Sequence, residues 1–544
     1  MSNESHVAVV ASRRILLPGA RALGPANPHG TVEVLVKLRR KKEVGSLDKR
    51  PTSSMARDKI SAEYGADPKD IALVENVLKK YGVSVVASDP ATRSVELSGS
   101  VSEMEKAFQV KLFEYHHAEG NYRGRVGDIF VPQELKDVVV GVFGLDGRRV
   151  ARRRRRPPQR PPNGAHAMSS IQPAWYLPAE LATRYNFPPG DGSGQTVGLL
   201  EFGGGYFPAD LTHFCTLANV PVPQVVPVSV DGTSTKSDDD AVGEVMLDVE
   251  VVAGVCPKST IVVYFAHWSE RGWLKALDAA VHDAKHKPSV ISVSWGNPED
   301  TGIWTGQAMT QVNETLKDAA LAGVTVCVAA GDDGSSDADP DGLAHADFPG
   351  SSPYVLSVGG TTIPKKTAPL PDVVWFEGDG LREDDNPNSG STGGAVSTIF
   401  PRPAWQQSIE ISSVNPGAIK GRCLPDLAAN ADWTASPYVL CVDGRVVPNG
   451  GTSAAAPLIA GLIARINGKA AGAGTVGYLN PALYQPGPGG RSLGLTACSD
   501  VVSGNNVTAK AGGYKALPGY DAVSGWGTPD GVKLANALFP RPTS

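Results

Sequence analysis

The segment Gly450-Gly451-Thr452-Ser453-Ala454-Ala455-Ala456-Pro457 sets a serine hydroxyl between a glycine pair and a run of small residues. Glycine permits backbone conformations and close approaches that other residues cannot adopt. Leu458 to Ala464 continues as a buried, small-residue helix, in which Pro457 is tolerable only in the opening turn. A serine at such a helix start is either a nucleophile with backbone N–H groups at hand for an oxyanion or a helix cap. The octapeptide leaves both readings open.

A nucleophilic serine needs a base. His213, His282 and His286 fall on helical stretches and read as surface or packing groups, and His267 stands in no His-Gly-Thr setting. His345 sits in a loop and stays a candidate. The carboxylates are more telling. Glu244 and Asp248 lie four apart on the helical stretch Gly243 to Val255, so they share a face, with Leu247, Val251, Val252 and Val255 on or beside it. Burying two like charges is costly unless one is protonated or both are hydrogen-bonded. A buried pair would share a proton, leaving one member to act as a base at acidic pH. The plain alternative is a solvated stripe, as expected of Glu250. A third carboxylate, Asp332, follows Val328-Ala329-Ala330-Gly331 at the end of a buried strand. It can donate a hydrogen bond to an oxyanion only while protonated, which ties the chemistry to low pH.

The elements that must position these groups follow from the order of the chain. At 544 residues, two or more domains are expected. A net charge of -5 gives no case for nucleic acid as a partner, and no apolar run approaches the ~20 residues of a membrane span. The N-terminus lacks a basic start followed by a sustained apolar segment, so it is not a conventional secretory signal. The six dispersed cysteines contain no CxxC pair, and Cys256 and Cys327 read as core thiols.

Residues 1–147 read as a small ferredoxin-like α+β unit: strands at 31–38, 83–87, 94–99 and 110–115, with helices at 68–81 and 101–108. Residues 148–170, rich in Arg and Pro, read as an extended, exposed linker and a target for proteolysis. With no structured basic surface beside it, the Arg152–Arg156 run is not read as a nucleic-acid or membrane site. Residues 171–544 alternate near-continuous Val/Ile strands (196–202, 259–266, 289–296, 324–331, 354–360) with helices (209–218, 241–255, 272–284, 307–322). That pattern implies a mostly parallel sheet covered on both faces, with active residues at the carboxyl ends of strands. Ser453 follows a candidate strand, 445–447, in a comparable position.

Taken together, Gly-Thr-Ser-Ala-x-x-Pro at Ser453, Glu244-x-x-x-Asp248 and Asp332 after Ala-Ala-Gly resemble the sedolisins, the serine-carboxyl peptidases, most closely their kumamolisin-type members. The resemblance implies a subtilisin-like α/β fold preceded by an inhibitory prodomain, with the 148–170 linker as the processing region. It implies an acid-active endopeptidase acting through an acyl-enzyme on Ser453, with Glu244 as general base and acid, Asp248 supporting it and Asp332 as oxyanion donor. It further implies that Glu201 of Glu-Phe-Gly-Gly-Gly-Tyr and Trp295 of Ser-Trp-Gly extend the network, although plain core packing is as good a reading of Trp295. Asp347 of Asp-Phe-Pro would line the substrate groove and favour Arg or Lys. One structural calcium ion would be held by Asp500, Asp521 and the region of Val501, Leu517 and Gly519. The remaining implications are protein or peptide substrates, an extracellular location, a monomer, and neither nucleic acid nor membrane as partner. A catalytically silent, peptide-binding relative is the alternative. A glycosidase is excluded because two carboxylates on one helix face cannot flank a sugar from opposite sides.

Overall fold

Valines 32, 34 and 36 alternate along Thr31–Leu38 and point into one apolar core, while Leu35 and Lys37 on the other face are buried as well. A strand buried on both sides needs a second body against its back, and a second domain supplies it. The computed structural model describes residues 5–153 and 172–540, apart from 52, 173, 238, 240, 368–369, 378–389, 471–473 and 488.

The first domain contains Thr31–Leu38 (β1), Pro68–Lys79 (α1), Ser84–Asp89 (β2), Ser94–Ser100 (β3), Val101–Phe108 (α2) and Val139–Phe143 (β4). The antiparallel strands run β2-β3-β1-β4, the ferredoxin-like order. Asp67 caps α1 through Lys69 N, with Pro68 at its first position, and a Ser100/Glu103 capping box opens α2. One strand differs from expectation. The fourth sheet strand is 139–143, whereas the 110–115 stretch contributes Phe113–His117 to a separate three-stranded sheet. Both stretches are short and apolar, and the hairpin at 118–119 decides which partner 113–117 finds.

The second domain is built on Thr196–Glu201 (β6), Gln224–Ser229 (β7), Val242–Val255 (α3), Thr260–Phe265 (β8), Glu270–Val281 (α4), Val290–Val293 (β9), Gly306–Leu321 (α5), Thr325–Ala329 (β11), Leu356–Thr362 (β13), Val373–Val374 (β14), Leu427–Asn430 (β15) and Thr452–Lys469 (α6). Between these lie Arg152–Arg153 (β5), Trp295–Pro298 (β10) and Asp347–Phe348 (β12). The main sheet runs β7-β8-β6-β9-β11-β13, all parallel, with β15 parallel and β14 antiparallel to β13. Its residues divide by alternation: Val197, Leu199, Ile261 and Val263 pack towards α3 and α6, and Leu200, Val262, Ile291 and Val293 towards α4 and α5. The strand before Ser453 is not part of this sheet, since Arg445–Asn449 forms a hairpin with Tyr438–Val442. All six cysteines are free thiols, Cys256 and Cys327 fully buried.

The first domain docks on α4 and α5 through buried ion pairs: Arg14–Glu270 (2.9 Å), Lys37–Asp278 (2.8 Å), Arg40–Glu314 (2.7 Å) and Arg40–Asp318 (2.8 Å). Gln307 completes the edge of β4, its side-chain amide exchanging hydrogen bonds with Val142 N and O at 3.2 and 3.0 Å. The start of the expected linker is not exposed. Arg148 is clamped by Asp146, Val150 and Ala151 are buried with both N–H groups donating to Trp268 O, and Arg152–Arg153 forms β5. Residues 154–170, including the stretch expected to be cleaved, lie outside the described residues.

Asp278→Ala would strand the fully buried Lys37 ammonium without a counter-charge, and the expected loss is about 3–5 kcal/mol. Removing the exposed Lys80–Glu134 pair should cost less than about 1 kcal/mol. Denaturant titration of the intact chain at neutral pH checks both, and similar costs at the two sites would contradict this account of the interface.

Candidate active site

The carboxyl ends of β6, β9 and β11 meet the amino ends of α3 and α6, and the candidate residues gather there. Glu201 ends β6, Ser294 and Trp295 follow β9, and Asp332 lies just beyond β11. Glu244 stands in the first turn of α3 with Asp248 one turn on, and Ser453 is the second residue of α6. Glu201, Glu244, Asp248 and Ser453 are all fully buried. Glu250 is buried too, against the expectation of a solvated stripe, because every face of α3 is covered. Its Oε2 accepts Cys441 N at 2.8 Å.

Three carboxyls in one dry cluster cannot all be ionised. Burial pushes Glu201 well above the ordinary carboxylate range and the charge of Glu244 adds to it. Burial raises Asp248 likewise, with the charges of Glu201 and Glu244 contributing. Both groups are thus driven towards their protonated forms, and a single charge is what burial allows the cluster. Trp295 serves both of the roles considered for it. Its ring packs edge-on against Phe202 at 5.8 Å, and its Nε1 donates to Glu201 Oε2 at 3.0 Å.

Ser294, which sequence reasoning passed over, joins the carboxyls to α6. Its Oγ lies 2.9 and 2.8 Å from the two oxygens of Asp248 and 3.3 Å from the carbonyl of Ser453, while Ser453 Oγ donates to Ser294 O at 3.4 Å. This contact also corrects the expectation for Pro457. The proline is the sixth residue of α6, past the opening turn, and it has no N–H to give to the carbonyl of Ser453 four residues back. The hydroxyl of Ser294 takes that place. Its position in Ser-Trp-Gly was the available signal.

Two glycines shape the turn into α6. Gly451 has φ +89°, and a Cβ on Gly450 would stand 2.4 Å from Ala431 O. Thr452 fixes Asp332: its N and Oγ1 lie 2.8 and 2.7 Å from Asp332 Oδ1. Both are donors to that oxygen, so a proton on Asp332 belongs to Oδ2. Asp347, on β12, is buried beside β10, and a Cβ on Gly296 would fall 2.1 Å from its Oδ1. The glycine of Ser-Trp-Gly is what lets that carboxylate lie against the strand.

Across β10 lies the chain's own β5, antiparallel, with Arg152 opposite Gly296 and Arg153 opposite Trp295. Asn297 Nδ2 holds the carbonyl of Val150 at 2.7 Å. This edge of β10 is therefore occupied by a strand of the first domain's C-terminal extension.

The expected calcium residues come together far from this cluster in sequence. Asp500 Oδ2 accepts Gly519 N at 2.8 Å, and Asp521 Oδ2 accepts Leu517 N at 2.9 Å. Val501 is buried next to Asp500, and Leu517 is exposed, its backbone alone taking part. Burial raises Asp521 to about 6, although N–H and hydroxyl groups donate to it. A buried carboxylate met by neutral donors is one that a hard cation would relieve, so Asp521, with the exposed Asp500 on Gly519, fits calcium by its chemistry. The described residues hold another acidic group, Asp339, Asp341 and His345. There burial opposes the imidazolium, but Asp300 (2.6 Å) and Asp341 (3.0 Å) outweigh it and push His345 up to about 9. A doubly donating His345 has no lone pair to act as a base or ligand.

The family profile described as pro-kumamolisin, activation domain, matches residues 18–148, and that of the subtilase family matches residues 232–480. Over 540 residues the chain is 40% identical to kumamolisin of Bacillus sp. (strain MN-32), covering 96% of this chain and 94% of kumamolisin. The chain belongs to the sedolisin family. As a sedolisin-family chain it is a serine-type peptidase of the serine-carboxyl class, made as a zymogen with its activation domain in front. Sedolisin of Pseudomonas sp. (strain 101) is 28% identical over 499 residues, covering 88% of this chain and 81% of its own. The solved structure of Pseudomonas sedolisin complexed with two molecules of pseudo-iodotyrostatin superposes with a TM-score of 0.57 at 28% identity, covering 67% of this chain and 98% of that one. The sedolisin fold thus accounts for the second domain, and no described helix is long and apolar enough to cross a membrane.

The same burial sets how stability depends on pH. Glu201, Asp248 and Glu250 are raised, and burial pushes Glu299 to about 7. Between their ordinary values and these raised ones, the folded chain binds more protons than the unfolded chain, so stability falls as pH rises through that window. Asp300, Glu314 and Asp318 are lowered; they are ionised in both states there and add no slope. Unfolding free energy should drop between about pH 4.5 and 7, by about 3 kcal/mol for Glu299 alone. Urea titrations of the intact chain, its integrity checked by mass, test this, and a rise towards pH 7 would refute it.

Proposed function

We propose that this sedolisin-family zymogen is an acid-active endopeptidase with Ser453 as nucleophile. The observation that carries the reading is the convergence of Ser453 with a buried carboxyl cluster, beside a strand edge already occupied by an antiparallel strand. Glu201 and Asp248 are driven towards their neutral forms, which leaves the single negative charge of the cluster to Glu244 as base. Ser453 Oγ attacks the peptide carbonyl while its proton passes to Glu244, and the C–N bond then breaks as Glu244 returns that proton to the leaving amine. Water resolves the acyl-enzyme by the same route. Asp332, protonated on Oδ2, donates to the oxyanion, and its loss of that proton sets the upper pH limit. Asp248 and Glu201 are positioning residues, with Ser294 and Trp295 holding them. Asp347 favours Arg or Lys on the acyl side of the scissile bond.

Residues 1–147 act as inhibitor, the linker 148–170 is cut on acidification between about Arg156 and Ser170, and the enzyme works outside the cell as a monomer on protein or peptide substrates. Asp500, Asp521 and the carbonyls of Val501, Leu517 and Gly519 would hold one calcium ion, whose charge would tie the 500–501 and 517–521 segments together. A catalytically silent peptide binder is disfavoured because every catalytic position carries the group the chemistry needs.

Peptide hydrolysis at about pH 3–5 should fall more than about thousandfold in Ser453→Ala and in Glu244→Gln. Activity that survives the alanine change would remove the serine mechanism. N-terminal sequencing of acid-treated protein should begin within 157–171, and activity with residues 1–150 still attached would overturn the processing scheme. A calcium chelator should lower the thermal midpoint of the wild type but not of Asp500→Asn, and an unmoved wild-type midpoint would dismiss the ion.

A further inference from the structure

The strand that occupies the edge of β10 also reports what that edge reads. β5 pairs with β10 so that Arg152 faces Gly296 and Arg153 faces Trp295. One more step in the same register reaches Ser294, whose carbonyl accepts Ser453 Oγ. A peptide bound in this register therefore sets one residue at the nucleophile, opposite Ser294. The residue before it faces Trp295, and the one before that faces Gly296. From the Gly296 position the guanidinium of Arg152 brings Nη2 to 3.7 Å from Asp333 Oδ2.

Asp333 is the neighbour of Asp332, beyond β11, and is buried to 5% exposure. Its backbone is fixed: its carbonyl accepts Thr508 Oγ1 at 2.8 Å and Ser336 Oγ at 3.2 Å, and Gly334 N donates to Ser391 O at 3.0 Å. A carboxylate on so firmly held a backbone costs little to order when a cation arrives. Asp337 and Asp347 both border Gly331, where a Cβ would stand 3.3 Å from Asp337 Oδ1 and 3.9 Å from Asp347 Cβ. Asp333 lies two residues beyond Gly331, which those carboxylates border, and Arg152 is the cation of β5 that reaches it.

We propose that Asp333 is a specificity-determining residue that binds an Arg or Lys two positions before the residue acylating Ser453. It would form a second acidic subsite next to that of Asp347, so that the enzyme selects paired basic residues. The inference rests on the endopeptidase reading above. The Arg152 side chain is 39% exposed and its contact is a single charge pair and not a fork, so Lys should serve nearly as well as Arg and the gain should be moderate.

The test compares peptides alike except for arginine or citrulline at that position, which keeps shape and removes charge. Acid-processed wild-type enzyme at about pH 5 should favour arginine about five- to tenfold in kcat/KM. Asp333→Asn should bring the ratio close to one, and Asp333→Glu should restore a preference. Hydrolysis by the wild type without discrimination, or a ratio unchanged in Asp333→Asn, overturns the subsite while leaving the peptidase reading intact. If Asp333→Asn fails to fold, the wild-type citrulline ratio decides alone. Absence of hydrolysis of every peptide overturns both.

Discussion

Withdrawal of carboxyl groups from water is the constraint on which the rest of this structure depends. Glu201, Glu244 and Asp248 occupy one cavity between the sheet and two helices with no water-facing edge. Ionising more than one of them would cost several kcal/mol per added charge. The fold meets this by driving Glu201 and Asp248 towards their neutral forms and by the neutral donor Trp295. The arrangement is therefore at rest in acid and under electrostatic stress at neutral pH, which is the reverse of a site built on histidine and a single ionised aspartate.

A second population of carboxylates is arranged with the opposite sign. Glu314 and Asp318 at the domain interface are partly desolvated, yet their Lys, His and Arg partners hold them below the usual range. Such groups stabilise while ionised and lose that contribution as pH falls through their lowered values. Acid thus removes the counter-charges of Arg40 and its neighbours while it relieves the carboxyl cluster of the second domain.

Much of this was legible from residue types and spacing. The strands 31–38, 196–201, 260–265 and 325–329 and the helices at 101–108 and 242–255 stand where alternation, apolar runs and caps put them, because those signals are local. The catalytic candidates were legible because their chemistry is unusual: two carboxylates on an apolar helix and a third at the end of a buried strand. What was not legible is long-range. Nothing near residues 139–143 says that they, and not 110–115, close the first sheet. Pro457 looked like a first-turn residue because its compensating donor, Ser294, lies 163 positions away in the sequence. Glu250 looked solvated because its cover, the strand at 438–442, comes from the far end of the chain.

The first residues of the linker, 148–153, differ from expectation for a related reason. A run of like charges repels itself and is expected to stay in water, and that holds only when no opposite charge is within reach. Here the second domain offers the buried Asp333 beside an unpaired strand edge, and the edge supplies the backbone partners that an extended, charged segment otherwise finds in solvent. Two weak tendencies, strand addition to an open edge and attraction between opposite charges, act on the same residues and reinforce each other. The backbone bonds of β5 set the register, the register brings Arg152 to Asp333, and the ion pair fixes which of many possible registers is kept. Neither alone would specify the position: main-chain pairing is indifferent to sequence, and one partly exposed charge pair is indifferent to direction. The segment and the edge thus specify each other through backbone pairing and charge together.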